Sequence, residues 1–197
     1  GDVCGVGAAL RRCGVSIFRS RIVVLDTEST GLFGKHEWAE VIELGAVVID
    51  RDGSERSAFS RLVKPDVLDE RAAPAMAVNR IDPAQLERAQ PAWLVLAEFV
   101  KFCADHDAMF LTSFNVRFDR AGVERMGLDF GTEDCSLRWA SCVMERAMEV
   151  MGLQRWPKLA VAAEHFGVPV VGEAHRAETD ARTAAGIMVA IQQKRSA

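Results

Sequence analysis

The sequence lacks several features that would assign it to a class at once. It has five cysteines in 197 residues and no CxxC pair, which indicates neither a zinc site nor a disulfide framework and fits a reducing cytoplasmic setting. No run of 18 apolar residues occurs, so no segment is predicted to cross a membrane. The net charge of −4 argues against binding nucleic acid through bulk positive potential, although an enzyme that engages nucleic acid through metal ions remains compatible with it. Tyrosine is absent altogether.

The length suits one domain that follows a short N-terminal extension. Residues 1–20 are rich in glycine and weakly patterned, and two adjacent arginines interrupt their apolar stretch, so no signal peptide is predicted. Cys4 and Cys13 lie in this extension and could pair or bind a metal with a partner, although their spacing matches no known pattern. Residues 21–197 are predicted to form the domain.

The hydrophobic pattern predicts an α/β fold with a mixed five-stranded sheet flanked by helices. The predicted strands span residues 21–27, 40–50, 56–63, 108–115 and 136–142. Asp52-Gly53 is a strong hairpin signal, so the first three strands are predicted to form an antiparallel meander. Helices are predicted over residues 83–88, from residue 91 onwards, and over 117–127, 143–151, 157–166 and 177–193. Pro74 is predicted to lie in a loop.

Two acids close the first strand, in the stretch RIVVLDTESTGL. Residues i and i+2 of a strand share a face, so Asp26 and Glu28 project side by side. Two neighbouring carboxylates repel each other, and a divalent cation with oxygen ligands relieves that repulsion. The plainer alternative is a strand that ends in a polar turn, since Thr27 and the residues after Glu28 are common in turns.

Further acids and histidines follow at the starts of two later helices. Asp119 comes just after the fourth strand, where an acid also stabilises its own helix. His175 precedes the last helix and Asp180 lies within it, followed by small residues that allow close packing. His165 is interpreted as structural because it ends a helix, and no role is assigned to His36 or His106.

Taken in order, these pieces resemble the DEDDh family of 3′–5′ exonucleases, which includes DnaQ-like proofreading enzymes, RNase T and oligoribonuclease. The matching segments are DTESTG, VIELGAVVID and HRAETDA, and the resemblance covers about residues 21–193. The other branch of these exonucleases has a tyrosine four residues before the last acid, where this chain has Arg176, so only the histidine version fits. The D-x-D motif of haloacid dehalogenase-type phosphatases is set aside, because the second acid here is Glu28.

The resemblance implies a ribonuclease H-like fold and a two-metal mechanism. Two ions, Mg²⁺ or Mn²⁺, would be held by four carboxylates, those of Asp26, Glu28, Asp119 and Asp180. His175 would be the general base that takes the proton of the attacking water. The residues that would help hold the terminal nucleotide are Thr27, Ser29, Leu32, Asn79 and Asn115. Phe114 or Phe118 could pack beneath that nucleotide, or belong to the core.

The resemblance also implies a substrate and partners. The expected activity is removal of nucleoside 5′-monophosphates from the 3′ end of DNA, single-stranded or frayed. The alternatives are an RNA-directed enzyme of the same family and a non-catalytic adaptor with this fold. A polymerase or another replication or repair protein is the suggested partner. The usual His-Gly-Ile loop is replaced here by Asn79-Arg80-Ile81, where Arg80 either contacts a phosphate or is simply solvated.

Overall fold

The fold is built on one mixed β-sheet in a computed structural model that describes residues 16–130 and 135–196. Its strands are β1 Ile22–Ser29, β2 Val41–Ile49, β3 Glu55–Lys64, β4 Gln90–Pro91, β5 Phe110–Ser113 and β6 Arg138–Trp139. Their order across the sheet is β4-β3-β2-β1-β5-β6. Strands β1, β2 and β3 pair antiparallel, while β5 pairs parallel to β1 and β6 parallel to β5. The mixed sheet and the predicted meander are therefore confirmed.

Seven helices cover the sheet within the described ranges. They are α1 Ala73–Asn79, α2 Pro83–Glu87, α3 Ala92–Asp105, α4 Val116–Arg125, α5 Val143–Met151, α6 Leu159–Phe166 and α7 Ala177–Ser196. Asp82 caps α2 as its sequence predicts, since its side chain accepts a hydrogen bond from the Ala84 backbone N–H at 2.9 Å. The Asp52-Gly53 turn is also present, with Gly53 at φ 86°.

Two predictions about the fold are wrong in detail. The segment around Pro74 is α1 rather than a loop, preceded by a 3-10 turn at Glu70–Ala72, because Pro74 sits in the first turn of α1, where a missing N–H costs nothing. The sheet has a sixth strand, β4, which consists of two residues paired parallel to Val63 and Lys64. Such a short strand carries no alternating pattern that a sequence could reveal.

The two faces of the sheet bury separate clusters of apolar side chains. Val23 and Leu25 of β1 point to the face covered by α3 and α4, whereas Val24 points to the face covered by α5, α6 and α7. Because side chains alternate along a strand, Asp26 and Glu28 share the face of Val24. The α7 face of the sheet is therefore apolar at one end and acidic at the other.

Residues 16–20 of the predicted extension contact the domain. The backbone N–H groups of Ile17 and Phe18 donate to the carbonyl of Arg51, and the side chain of Gln192 in α7 donates to the carbonyl of Ile17. Cys4 and Cys13 lie outside the described residues, and the other three cysteines are free thiols. Among the described residues, no helix combines the length and apolarity needed to cross a membrane.

Candidate active site

The site begins with three pairs of residues that face each other across β1 and β2. Val24 lies opposite Val47, Asp26 opposite Gly45, and Glu28 opposite Glu43. Along the strands, the pairs change from two apolar side chains, to an acid opposite a glycine, to two acids. Like charges placed directly opposite each other destabilise a sheet, so this end of β1 and β2 needs compensating positive charge.

Gly45 creates the room for the start of α7 to reach these acids. A Cβ at this position would overlap the backbone of Ala177 and Glu178, with the Ala177 carbonyl oxygen 2.7 Å away. The small side chains after Asp180 pack as predicted, since Ala181, Ala184 and Ala185 are buried. The first turn of α7 therefore lies directly on β2 and brings Asp180 to the acidic end of the sheet.

Three of the predicted site residues meet in one cluster. Glu28, His175 and Asp180 each offer a ligand atom, and these atoms all lie within 4.8 Å of one another. Glu28 and Asp180 are partly buried, whereas His175 is exposed, so the cluster opens to solvent on the His175 side. Two carboxylates and an imidazole at this spacing are suited to a divalent cation and to proton transfer at a water molecule.

Asp119 approaches the same region from the start of α4. Its carboxylate is buried and accepts hydrogen bonds from the backbone N–H and the side-chain hydroxyl of Thr27, at 2.9 and 2.8 Å. Asn115 caps α4, and its backbone carbonyl accepts from the Asp119 N–H at 3.1 Å. These contacts hold Asp119 next to β1, one residue along the strand from Asp26.

The electrostatics of the site show an excess of negative charge. Burial and the neighbouring carboxylates, Asp119 first among them, raise the pKa of Asp26 well above its ordinary value. Burial and the charge of Asp180 raise the pKa of Glu28 to about 8. Burial also raises the pKa of Asp119 to about 6, against hydrogen bonds that lower it, and raises that of Asp180. Four crowded oxygen donors that hold protons this strongly are a suitable site for divalent cations.

An ion pair that the sequence did not reveal holds His175 near the acids. Glu43 is almost fully buried, and its carboxylate accepts from the Arg176 guanidinium, at 2.7 Å for the shortest contact, and from the Ala177 backbone N–H at 3.1 Å. His175, the residue before Arg176, has φ 62°, a left-handed conformation that is uncommon for a residue with a side chain. The pair fixes the turn that carries His175.

A pocket of about 340 Å³ adjoins the cluster at Glu28. The predicted substrate-binding residues Ser29, Leu32 and Asn79 all line it. The rest of its wall comes from Thr30, Gly31, His36, Trp38, Arg71, Pro74, Ala75 and Val78. Leu32 and Val78 are exposed and make the wall largely apolar, which suits the flat face of a base.

His36 is a pocket residue that sequence reasoning missed. Its ring stacks on Trp38, with centroids 4.8 Å apart, and its Nδ1 accepts from the Leu32 backbone N–H at 3.1 Å. The signal that could have found it is the short spacing between Leu32, His36 and Trp38, which a turn folds together. His106, by contrast, contacts the Phe102 carbonyl away from the site.

A family comparison decides the assignment. The exonuclease family model of RNase T matches residues 23–188, which is most of the chain. The chain belongs to the DEDDh-type 3′–5′ exonuclease family. No curated protein matches it by overall sequence similarity.

Solved structures of exonucleases share the fold of this family member. The nuclease domain of 3′hExo, described as a DEDDh family member bound to rAMP, has a TM-score of 0.70 at 18% identity, over 91% of this chain and 95% of that one. The 3′-exonuclease described as recognising a histone mRNA stem-loop has a TM-score of 0.72 at 18% identity, and exonuclease I of E. coli with a dT13 oligonucleotide has 0.70 at 15%. The matches cover 89% and 90% of this chain, but 64% and 42% of those chains.

The remaining predicted residues occupy different positions around the exonuclease site. Thr27 is buried with both donors directed at Asp119, so its hydroxyl orients that carboxylate, and contact with a substrate stays a prediction. Asn115 lines a separate groove beside α4. Phe114 belongs to the buried core on the α7 face, while Phe118 packs against Phe33 with centroids 4.9 Å apart.

Proposed function

We propose that this chain is a metal-dependent 3′–5′ exonuclease that releases nucleoside 5′-monophosphates from the 3′ end of single-stranded or frayed DNA. The observation that carries the proposal is the meeting of Glu28, His175 and Asp180 within 4.8 Å, beside the partly buried Asp26 and the buried Asp119. Family membership supports hydrolysis of phosphodiester bonds, and the raised pKa values of the acids support divalent metal ions.

Each group at the site has a distinct role in this proposal. Asp26, Glu28, Asp119 and Asp180 would hold two ions, Mg²⁺ or Mn²⁺. These ions would supply charge neutralisation at the scissile phosphate and lower the pKa of the attacking water. His175 accepts the proton of that water, and its exposed ring then passes the proton to solvent. The Glu43–Arg176 ion pair keeps the imidazole aimed at the acids.

The pocket beside Glu28 is the proposed place for the terminal nucleotide. Its apolar wall at Leu32 and Val78 would contact the base, and the buried Asn79 also lines it. The Asn79 side-chain oxygen accepts from the Ile81 backbone N–H at 3.1 Å, so the side chain is fixed in one orientation. A pocket of this size accepts a single nucleotide, so a paired end has to fray before it can enter.

RNA is the second candidate substrate. The specific observation in its favour is that two of the similar structures are described with histone mRNA and with rAMP. Recognition of the ribose 2′-hydroxyl would distinguish the two polymers. A non-catalytic adaptor is the third candidate function. A polymerase or another replication or repair protein stays the predicted partner, and the cytoplasm stays the predicted location.

The test is a digestion time course on 5′-labelled single-stranded DNA and RNA oligomers with Mg²⁺, Mn²⁺ or EDTA. A metal-dependent ladder that shortens from the 3′ end supports the proposal, and the faster polymer identifies the substrate. Asp26→Asn and Asp180→Asn should each abolish the ladder while the fold persists. Asp105→Asn is the matched control, because Asp105 pairs with Lys101 on the surface of α3. No cleavage of either polymer by the wild type would favour the adaptor.

A further inference from the structure

A second concave surface lies beside the site, and we call it the Trp156 groove. It has a volume of about 520 Å³. Its walls include Asn115, Arg117, Arg120, Ser141, Glu145 and Trp156. These residues come from the start of α4, the connection between β6 and α5, the first turn of α5, and the connection between α5 and α6. Backbone hydrogen bonds fix one wall, since the Met144 N–H donates to the Phe114 carbonyl at 2.9 Å.

The groove and the nucleotide pocket reach the acidic cluster at different points. Glu28 of the cluster lines the pocket, whereas the groove is lined by Asn115, which lies one helical turn before Asp119. No residue lines both. A strand whose last nucleotide occupies the pocket therefore has the groove available for the nucleotides that precede it.

The groove combines an exposed aromatic ring with basic side chains. Trp156 is 61% exposed, so its indole ring is accessible from solvent. It is flanked in the sequence by Arg155 and Lys158, both exposed. Across the groove, Arg117 forms no ion pair or hydrogen bond through its guanidinium with the part of the chain that the structure describes.

The charged residues that line the groove are two arginines and two glutamates. Arg120 is already paired with Glu124 at 2.7 Å and lies over the ring of Phe130. Glu145 is the other acidic residue of the wall. The two arginines and two glutamates of the wall therefore balance in number, and the additional positive charge near Trp156 comes from Arg155 and Lys158, its exposed neighbours in the sequence.

We propose that the Trp156 groove binds the single-stranded nucleic acid on the 5′ side of the scissile phosphate. A base stacks on the indole of Trp156, and Arg117 contacts a backbone phosphate. Aromatic stacking platforms combined with basic grooves are the usual way in which proteins hold single strands without sequence preference. This proposal rests on the proposed function, because it places the groove upstream of a reacting 3′ end.

The test compares Trp156→Ala with Trp93→Ala, two exposed tryptophans of which Trp93 lies on α3, outside the groove. The substrates are a ten-nucleotide oligo-dT or oligo-U and the p-nitrophenyl ester of thymidine 5′-monophosphate, which has no upstream strand. Trp156→Ala should raise the KM for the oligomers roughly tenfold relative to that for the ester. Trp93→Ala should change neither value. Equal effects of Trp156→Ala on oligomer and ester, or no effect on the oligomer, would overturn the proposal.

Binding measurements separate this inference from the proposed function. If the wild type hydrolyses no substrate, the proposed function fails, and the groove is tested by fluorescence anisotropy of a labelled oligo-dT with the Asp26→Asn protein. Adding Trp156→Ala should weaken the Kd roughly tenfold. Adding Arg117→Ala should reduce the slope of log Kd against log salt by about 0.7, the value for one phosphate contact on a single strand. Unchanged affinity and slope would refute strand binding in the groove.

Discussion

Glu43 and Arg176, 133 residues apart in the sequence, form a two-pronged ion pair beneath the acidic cluster. Glu43 lies opposite Glu28 on the neighbouring strand, so one of two facing carboxylates is neutralised by Arg176 and the other is left for the site. The same carboxylate accepts the first backbone N–H of α7. One side chain of β2 thereby sets the charge of the cluster and the position of His175.

Loss of the Glu43–Arg176 ion pair should slow the reaction while leaving nucleotide binding in the pocket largely unchanged. Arg176→Ala is expected to lower kcat by roughly 10–100-fold, the usual effect of removing a group that orients a catalytic residue, with little change in KM. Arg176→Lys should recover part of the loss, because a lysine keeps the charge but lacks the fork. Steady-state kinetics on an oligonucleotide measure both constants.

Arg182→Ala is the control for Arg176, because Arg182 also lies on α7 and pairs with Glu55 and Glu178 on the surface. It should change kcat by less than about twofold, as exposed ion pairs contribute little. Equal kinetic effects of the two substitutions would show that Arg176 contributes charge to the surface and does not position His175.

His175→Ala tests proton transfer. A positioned general base contributes roughly 10²–10⁴-fold, so the single-turnover rate at saturating Mn²⁺ should fall by that factor. Mn²⁺ affinity, measured by calorimetry, should stay within a few-fold, because four carboxylates remain. His165→Ala, at the end of α6, is the control and should leave the rate unchanged. An unchanged rate for His175→Ala would remove His175 from the mechanism.

The pH dependence of stability should report the crowded acids. The pKa of Glu28 is raised from 4.5 to about 8 in the metal-free fold, so the folded state holds a proton that the unfolded chain has released. The free energy of unfolding of the wild type, relative to Glu28→Gln, should therefore fall as pH rises from about 4.5 to 8 and then level off. Denaturant unfolding at each pH measures this difference.

Divalent cations should cancel much of that pH dependence. Mg²⁺ or Mn²⁺ binds the ionised acids and stabilises the folded state, so the gain in Tm on adding metal should grow with pH over the same interval. Glu28→Gln should show a smaller gain. Without metal, a free energy of unfolding of the wild type, relative to that of Glu28→Gln, that rises between pH 4.5 and 8 would contradict the assigned crowding of Glu28.

Gly45→Ala tests the contact between α7 and β2. The added methyl group would overlap the backbone of Ala177, so α7 must move away from the sheet. We expect a loss of about 1–3 kcal/mol in the free energy of unfolding and a fall in Mn²⁺ affinity. Gly152→Ala is the control, because its φ of 65° strains any side chain but nothing lies within 4 Å. Gly152→Ala should lower the free energy of unfolding by about 1 kcal/mol and leave Mn²⁺ affinity unchanged. The same result for Gly45→Ala would argue against the contact between α7 and β2.

Local patterns predicted the elements that carry the site. The alternation of side chains along β1 predicts that Asp26 and Glu28 share a face, and the Asp52-Gly53 turn predicts the meander that places β2 beside them. Asp82 predicts the start of α2 through capping chemistry that involves only its near neighbours. These features depend on interactions between residues a few positions apart, which sequence patterns can predict.

Long-range contacts were not predictable in this way. The pairing of Glu43 with Arg176 depends on how α7 packs against β2. From the sequence alone, Arg176 showed only that this position is not the tyrosine of the other exonuclease branch. The hydrogen bonds from Thr27 to Asp119, 92 residues away, were likewise not predictable from the sequence, while contact of Thr27 with a substrate stays a prediction. α1 was predicted as a loop, because a proline in a helical first turn and a proline in a loop look alike.

The packing of α7 against β2 at Gly45 also has a consequence for when, under the proposed function, the chain can hydrolyse phosphodiester bonds. Asp26 and Glu28 come from the first strand, whereas His175 and Asp180 arrive with the last helix, more than 140 residues later. A chain in the course of synthesis, or one whose last helix has detached, has only half of the acidic cluster and lacks His175, the proposed base. Under the proposed mechanism, hydrolysis would therefore begin only after the last helix has packed against the sheet.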